Sequence, residues 1–212
     1  MEREDGLIYC GDPSDYFAPY RRWPATERRA MRYVRGLVLD VGCGSGRVAL
    51  HLQERGFDVL AIDESPGAVE VARRRGVRRA EVCGLADLDE SLGLFDTVLI
   101  VRNNLGLAGS GAAAKRTLRR LGSLTTPHGL IITDSVDPAR IDDPALRPLA
   151  GRTQRFRVRW QTYATPWFRY VMTAPGAFAE LVSGTGWSVA ALIDDGSPRY
   201  GVVLEKAPTG GR

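Results

Sequence analysis

A glycine-rich turn that follows directly on a short apolar run is the feature that most restricts how this chain can fold. Residues 37–40 read LVLD, residues 41–46 read VGCGSG, and helix-forming residues begin at Arg47. Glycine allows a sharp turn and, because it has no Cβ, lets a ligand approach the backbone N–H groups closely. A strand, a glycine turn and a helix in this order predict a βαβ unit with a ligand at the turn.

The same alternation of strand and helix continues along the chain. Apolar runs lie at 57–63, 80–85, 95–101 and 130–133, and helical stretches lie between them at 67–76 and 111–124. Short apolar runs between helices indicate strands that are buried on both faces of a parallel sheet. We therefore expect an α/β fold with a Rossmann-like, doubly wound sheet.

The two ends of the sequence interrupt this alternation. Residues 1–24 combine glycines and prolines with aromatic side chains, which predicts an irregular N-terminal lid segment. Residues 155–163 alternate with period two, which predicts an antiparallel strand. The expected organisation is a lid at 1–24, one domain at 25–206 and a flexible tail at 207–212.

The charge of the chain argues against a nucleic-acid partner. The formal net charge is +4, and its 29 basic residues are arginines apart from Lys115 and Lys206. A nucleic-acid-binding protein is expected to concentrate its basic residues on one face. We attribute the excess of arginine to a GC-rich genome and expect no nucleic-acid partner.

The cysteines and the N-terminus indicate the compartment. Cys10, Cys43 and Cys83 form neither an even set nor a C-x-x-C pair, so we expect neither a disulfide framework nor a zinc site. The first residues are polar, and no apolar stretch approaches the ~20 residues that a membrane span needs. We expect a cytoplasmic protein, monomeric or homodimeric, with no metal and no membrane partner.

The spacing of the glycines separates two kinds of ligand. A dinucleotide-binding turn follows G-x-G-x-x-G, which would require glycine where this chain has Arg47. The glycines are instead Gly42, Gly44 and Gly46, preceded by Asp40. The pattern D-x-G-x-G-x-G disfavours an NAD-dependent oxidoreductase.

The pattern from Asp40 to Gly46 resembles the first motif of the class I S-adenosylmethionine-dependent methyltransferases. The resemblance implies a seven-stranded sheet of order 3-2-1-4-5-7-6, mostly parallel with one antiparallel strand, the seventh. It also implies S-adenosyl-L-methionine as the cofactor. In that family the glycine turn packs against the methionine part of the cofactor, and the acidic residue at the Asp40 position contacts its ammonium directly or through water.

Asp63 is the second candidate for cofactor binding. It ends the apolar run 57–63 and lies roughly 20 residues after Gly44, a spacing at which an acidic side chain can accept bonds from ribose hydroxyls. The resemblance assigns the same role to Asp63. A helix-capping role for Asp63, Glu64 or Ser65 ahead of Pro66 is compatible with it.

Two further segments resemble cofactor-binding positions of the family. Leu85-Ala86-Asp87 is similar to the segment that recognises adenine, although many relatives have Asp where this chain has Leu85. Residues 101–106 are similar to the loop that completes the methionine pocket. The predicted cofactor site comprises Asp40, Gly42, Cys43, Gly44, Ser45, Gly46, Asp63, Glu64, Leu85, Ala86, Arg102 and Asn103.

The residues that would bind the methyl acceptor are less clearly indicated by the sequence. Asp134 follows the run 130–133 at the sheet edge where ligands bind, so we predict that it binds or deprotonates the acceptor; a loop cap is the alternative. Neither His51 nor His128 lies in a pattern typical of a catalytic base. The predicted acceptor site comprises Tyr16, Tyr20, Trp23, Asn104 and Trp167. Burial of the aromatic residues against the core or a partner subunit is the alternative.

The sequence as a whole predicts a methyltransferase that acts on a small molecule. The chain offers only residues 1–24 and 135–170 as material for a lid, and no appended RNA-binding module. A methyltransferase of RNA or protein is one alternative. A non-catalytic cofactor-binding or assembly protein with the same fold is the other.

Overall fold

The chain folds around one large β-sheet with helices packed on both of its faces. The structure is a computed structural model, and it describes residues 1–145, 147 and 153–208. The helices are α1 (Ala25–Ala30), α2 (Arg47–Glu54), α3 (Pro66–Arg74), α4 (Gly111–Ser123) and α5 (Pro175–Val182). The strands are β1 (Glu2–Arg3), β2 (Val38–Val41), β3 (Val59–Asp63), β4 (Ala80–Val82), β5 (Phe95–Ile100), β6 (Thr125–Val136), β7 (Gln154–Arg157), β8 (Arg159–Trp160), β9 (Tyr163–Ala164), β10 (Phe168–Tyr170), β11 (Trp187–Ile193) and β12 (Arg199–Lys206).

The large sheet has the topology that the family resemblance implies. Its order is β11-β12-β6-β5-β2-β3-β4, which is 6-7-5-4-1-2-3 when its own strands are numbered along the chain. The strands from β6 to β4 pair in parallel, whereas β12 is antiparallel to both of its neighbours. The predicted seven-stranded, doubly wound sheet with one antiparallel strand is confirmed.

Alternate residues of the central strands supply two apolar cores, one on each face. Val38 packs with α1, α2 and α3, and the next residue, Leu39, packs with α4 and α5 on the opposite face. Period-two side-chain alternation therefore fills both layers from one strand. Ser65 and Ser110 begin α3 and α4, since each hydroxyl accepts an N–H of the first helical turn.

The crevice at the carboxyl ends of β2 and β5 positions the candidate site. The chain proceeds from β2 outward to β3 and β4, then returns to place β5 on the other side of β2. The loops after these two strands diverge at this point, and open α/β sheets bind ligands there.

The N-terminal segment and the last third of the chain differ from the sequence prediction in three ways. The expected strand at 155–163 is divided, because β7 ends at Arg157 and the chain reverses at Gln161, which has a φ of 51°. β7 pairs with β1 and β10 in a separate three-stranded sheet, so the segment 1–24 contains a short strand. β11 was not predicted as a strand. Residues 209–212 of the expected tail lie outside the described residues.

Candidate functional site

The glycine turn is fastened to the neighbouring strand β3. The backbone N–H groups of Gly42 and Cys43 both donate to the carbonyl of Ile62, at 2.8 and 2.9 Å. Gly42, Gly44 and Gly46 have φ angles of 73°, 55° and 77°, a region that favours glycine. The turn is therefore a fixed feature of the fold, and its backbone is accessible at Gly42.

Asp63, at the end of β3, contacts the turn directly. One carboxylate oxygen accepts the N–H of Gly44 at 2.8 Å, and the other accepts the N–H of Ser65 at 2.9 Å. Each carboxylate oxygen has two lone pairs, so Asp63 can still accept bonds from a ligand. Its neighbour Glu64 is exposed and lies against Gly84 of the loop after β4.

Asp40 lies at the floor of the turn and is 1% exposed. Its oxygen Oδ2 has no hydrogen-bond partner among the described residues. Burial raises the pKa of Asp40 to about 7, although Arg47 and the N–H of Ala49 oppose that shift. A buried carboxylate that lacks a partner is unfavourable unless a cation or donor reaches it.

Glu27 is a buried acidic residue that the sequence analysis did not identify. It lies on α1, is 6% exposed, and pairs through Oε1 with the guanidinium of Arg47 at the start of α2. The Arg47 guanidinium in turn lies 4.1 Å from the ring centroid of Trp23. Helix α1 carries no sequence motif. Its contact with Arg47 therefore becomes apparent only in the structure.

The loop after β5 closes the other side of the turn. Asn104 donates its side-chain amide to the carbonyls of Gly42, at 3.0 Å, and Val41, at 3.3 Å. Arg102 and Asn103 are both left-handed, with φ angles of 64° and 56°. Two consecutive non-glycine residues with positive φ angles are uncommon, and such conformations occur mostly where a functional site requires them.

Asp134 is engaged at both oxygens. One accepts the backbone N–H of Asn103 and the other accepts the guanidinium of Arg199, each at 2.6 Å. The Asn103 side chain continues this network, because it bonds to Ser135 and to the carbonyl of Val171. These contacts hold the strained loop in place, which favours a positioning role for Asp134 over proton abstraction.

The predicted adenine-side residues lie along the loop after β4. Leu85 is half-buried against the core, and Ala86 is exposed. The carbonyl of Ala86 accepts a bond of 2.7 Å from Arg120 of α4. The same loop lies beside Glu64, which contacts it at Gly84.

The predicted aromatic residues are not all at the turn. Tyr16 lies over it, because its carbonyl accepts the Ser45 hydroxyl and its ring lies within 3.9 Å of a Cβ built at Gly44. Tyr20 is stacked on His51 with ring centroids 4.1 Å apart. Trp23 is buried beside that pair.

Trp167 lies directly before β10 of the three-stranded sheet. The guanidinium of Arg157 lies 4.6 Å from its ring centroid, and Arg157 also pairs with Glu2 at 2.7 Å. Arg75, which the sequence analysis did not single out, donates to both the carbonyl and the hydroxyl of Ser45. Its guanidinium also lies 4.9 Å from the ring centroid of Phe17, so it connects residues 16–17 to the turn.

Comparison with known proteins identifies the family to which this chain belongs. A methyltransferase-domain family model matches residues 38–129. A solved S-adenosylmethionine-dependent methyltransferase from Bacteroides fragilis, in complex with S-adenosyl-L-homocysteine, superposes with a TM-score of 0.79 at 30% identity. The match covers 92% of this chain and 82% of that one. The chain belongs to the class I S-adenosylmethionine-dependent methyltransferases.

Curated relatives of this methyltransferase-family chain match over shorter regions. A ubiquinone biosynthesis O-methyltransferase from Azorhizobium caulinodans is 31% identical over 52% of this chain and 45% of its own length. Methyltransferase-like protein 27 of Homo sapiens is 38% identical over 45% of this chain and 38% of its own length. The chain therefore spans about half the length or less of these two relatives.

Family membership confirms the expected cofactor class, S-adenosyl-L-methionine, and the described residues fit it. The turn has no side chain at Gly42 or Gly44, Asp40 has an oxygen available for a cation, and Asp63 has free lone pairs. Among the described residues there is no group of three or more His, Cys, Asp or Glu side chains that could hold a metal ion. No helix within the described ranges is long and apolar enough to cross a membrane.

Proposed function

We propose that this chain transfers the methyl group of S-adenosylmethionine to a small-molecule acceptor. The observation that carries the proposal is the contact of Asp63 with the N–H of Gly44, beside the buried Asp40. One acidic residue thus lies beneath the glycine turn, and another contacts it from the adjacent strand. A turn that only connected a strand to a helix would have no need of an unpaired buried carboxylate.

The roles of the chain's own residues follow from their positions. Asp63 accepts bonds from the ribose hydroxyls, and Asp40 neutralises the cationic methionine end. The cofactor supplies an already activated methyl group, so the protein chiefly orients the nucleophile and excludes water. Asp134 and Asn103 hold the loop after β5 in its strained conformation, and Tyr16 covers the turn.

Two observations favour a small acceptor. The segment Pro13–Phe17 contacts the glycine turn, because the carbonyl of Tyr16 accepts the Ser45 hydroxyl, and this leaves less room there for a macromolecule. The Azorhizobium caulinodans relative is named for ubiquinone biosynthesis and O-methylation. Sites for small molecules are concave and largely apolar with few polar groups. We extend the same acceptor class to this chain.

A transfer assay with labelled S-adenosylmethionine tests the acceptor class. We expect label to enter small hydroxylated or amino-substituted aromatic compounds and not mixed RNA or total protein. RNA binding that is strong and weakens steeply with salt would instead indicate a nucleic-acid acceptor, because it reports counterion release. Cofactor binding without transfer to any acceptor would favour a non-catalytic protein.

A further inference from the structure

Two buried carboxylates beside the glycine turn each have an oxygen without a partner. Among the described residues, Oε2 of Glu27 and Oδ2 of Asp40 are the buried side-chain polar atoms that make no hydrogen bond. The side chain of Glu27 is 4% exposed, and residue Asp40 is 1% exposed. Leaving a buried carboxylate oxygen without a donor is costly, so two such oxygens in one cluster point to a ligand that supplies donors.

The charges of this cluster indicate what kind of ligand it takes. Arg47 pairs with Glu27 through one nitrogen and lowers the pKa of both carboxyl groups, against the larger effect of burial. Asp134 and Arg199, which lie close enough to interact with Glu27, neutralise each other in their own ion pair. Arg102 also lowers the pKa of Glu27, and Asp63 raises that of Asp40. When all are ionised, the carboxylates of Glu27, Asp40 and Asp63 face two guanidiniums, those of Arg47 and Arg102, so the cluster has room for one further positive charge.

We propose that Glu27 binds the cofactor together with Asp40, the two carboxylates holding the ammonium of its methionine end. The inference rests on the proposed function and extends the cofactor site to helix α1, outside the glycine motif. It also gives a reason for the Glu27–Arg47 pair, which fixes the carboxylate with Oε2 left over for the ligand.

Two probes separate this contact from the rest of the cofactor site. S-Adenosylhomocysteine has the ammonium, whereas 5′-methylthioadenosine keeps the adenosine and the thioether and lacks the amino-acid part. Calorimetry on Glu27→Gln should show S-adenosylhomocysteine binding weakened about 10- to 100-fold and 5′-methylthioadenosine binding unchanged. The matched control is Glu70→Gln, since Glu70 is exposed on α3 and pairs with Arg74 on the same helix. It should change neither affinity.

Other outcomes would overturn the inference. Equal weakening of both probes would mean that Glu27 only supports the fold. Unchanged binding of both probes with slower methyl transfer would place Glu27 at the acceptor instead. Failure of the unsubstituted protein to bind S-adenosylhomocysteine would contradict the proposed function itself, so the two failures are distinguishable.

A measurement on the unsubstituted protein keeps the inference testable if Glu27→Gln does not fold. Burial raises the pKa of both carboxyl groups, that of Asp40 to about 7. The charged groups around Glu27 are Arg47 of α2, Arg102 after β5, Asp134 of β6, Arg199 of β12 and Asp40 of β2. The arginines stay charged throughout. Preference for S-adenosylhomocysteine over 5′-methylthioadenosine should therefore rise from about pH 5.5 to about pH 7.5. It should still rise with pH in Asp40→Asn, where Glu27 is the carboxyl group of the pair that remains to titrate, and a flat preference in that variant would overturn the inference.

Discussion

The carboxylate of Asp63 accepts the backbone N–H of Gly44 at 2.8 Å, which fastens the middle of the glycine turn to the end of the adjacent strand. Its other oxygen accepts the N–H of Ser65, just before α3. Ser65 itself caps that helix through its hydroxyl. One side chain therefore shapes the turn, helps to begin a helix and presents acceptors to the crevice. The cap of α3 is Ser65, so the proposed cofactor contact of Asp63 is compatible with the start of that helix.

We expect Asp63→Asn to weaken S-adenosylhomocysteine binding by roughly 1.5 to 3 kcal/mol, because the charged acceptor is lost. The melting temperature should fall by only a few degrees, since the amide oxygen can keep one backbone bond. Calorimetry and thermal unfolding measure the two effects. Asp58→Asn is the control, because Asp58 is exposed and its ion pair with Arg79 is 3.7 Å long. An unchanged affinity with a collapsed melting temperature would make Asp63 a cap only.

Gly44 and Gly46 should respond differently to alanine. Both have positive φ angles, so backbone strain of about 1 kcal/mol is common to the two substitutions. A Cβ at Gly46 would lie 2.5 Å from Val77 Cγ2, whereas a Cβ at Gly44 would meet only Tyr16, at 3.9 Å. Gly46→Ala should therefore destabilise the fold by roughly 1 to 3 kcal/mol more than Gly44→Ala does.

The effect on binding should be the reverse. A side chain at Gly44 occupies space in front of the turn, so Gly44→Ala should reduce S-adenosylhomocysteine affinity while the protein stays folded. Gly44→Val should abolish binding. Full binding by a folded Gly44→Val protein would mean that the cofactor does not approach this glycine.

Asp40 should make stability depend on pH. Its pKa is about 7 in the folded protein and near 3.9 in an unfolded chain, so the folded state binds more protons between those values. Stability contributed by this group is therefore lost as pH rises through that window. Asp40→Asn should increase the unfolding free energy at about pH 8 by roughly 1 to 4 kcal/mol, which raises the melting temperature. Near pH 4 the substitution should have little effect on either quantity.

The same variant should bind S-adenosylhomocysteine less well, because an amide does not neutralise an ammonium. Stabilisation with loss of binding is the expected sign of a residue kept for function. A lower melting temperature at both pH values would show instead that the Asp40 carboxylate is needed for folding.

Asp134→Asn separates a positioning role from a catalytic one. If Asp134 holds the loop, its loss leaves Arg199 without a carboxylate and destabilises the protein by up to about 3 kcal/mol. The pH at which methyl transfer is half-maximal should then stay the same. Strongly slowed transfer, normal stability and loss of the acidic limb in the pH profile of the residual activity would restore the prediction that Asp134 deprotonates the acceptor.

The placement of the cofactor-side candidates at one edge of the sheet was predictable because these residues follow strands directly. Asp40, the glycines and Asp63 stand at fixed positions in βα turns, and a parallel sheet brings those turns to one edge. Glu27 gave no such signal, because its partner Arg47 is on another helix and the sequence does not show that the two meet. Likewise, β7 pairs with residues near the N-terminus, a contact of high sequence separation that periodicity cannot predict.

The aromatic residues show that residue type alone does not predict which side chains line a pocket. Tyr16 and Trp23 belong to the same short segment, yet Tyr16 is exposed at the turn and Trp23 is buried beneath Arg47. An aromatic ring is equally suited to a core and to a pocket, so sequence pattern alone does not separate them. The aromatic lining of the acceptor pocket therefore stays a prediction.

The most direct test of this account is a calorimetric titration of the unsubstituted protein with S-adenosylhomocysteine, run in parallel with NAD. We predict saturable binding of S-adenosylhomocysteine at one site per chain and no measurable binding of NAD. We also predict that Asp63→Asn shifts the curve to weaker affinity. Absence of S-adenosylhomocysteine binding by a folded protein, or tighter binding of NAD, would contradict the account.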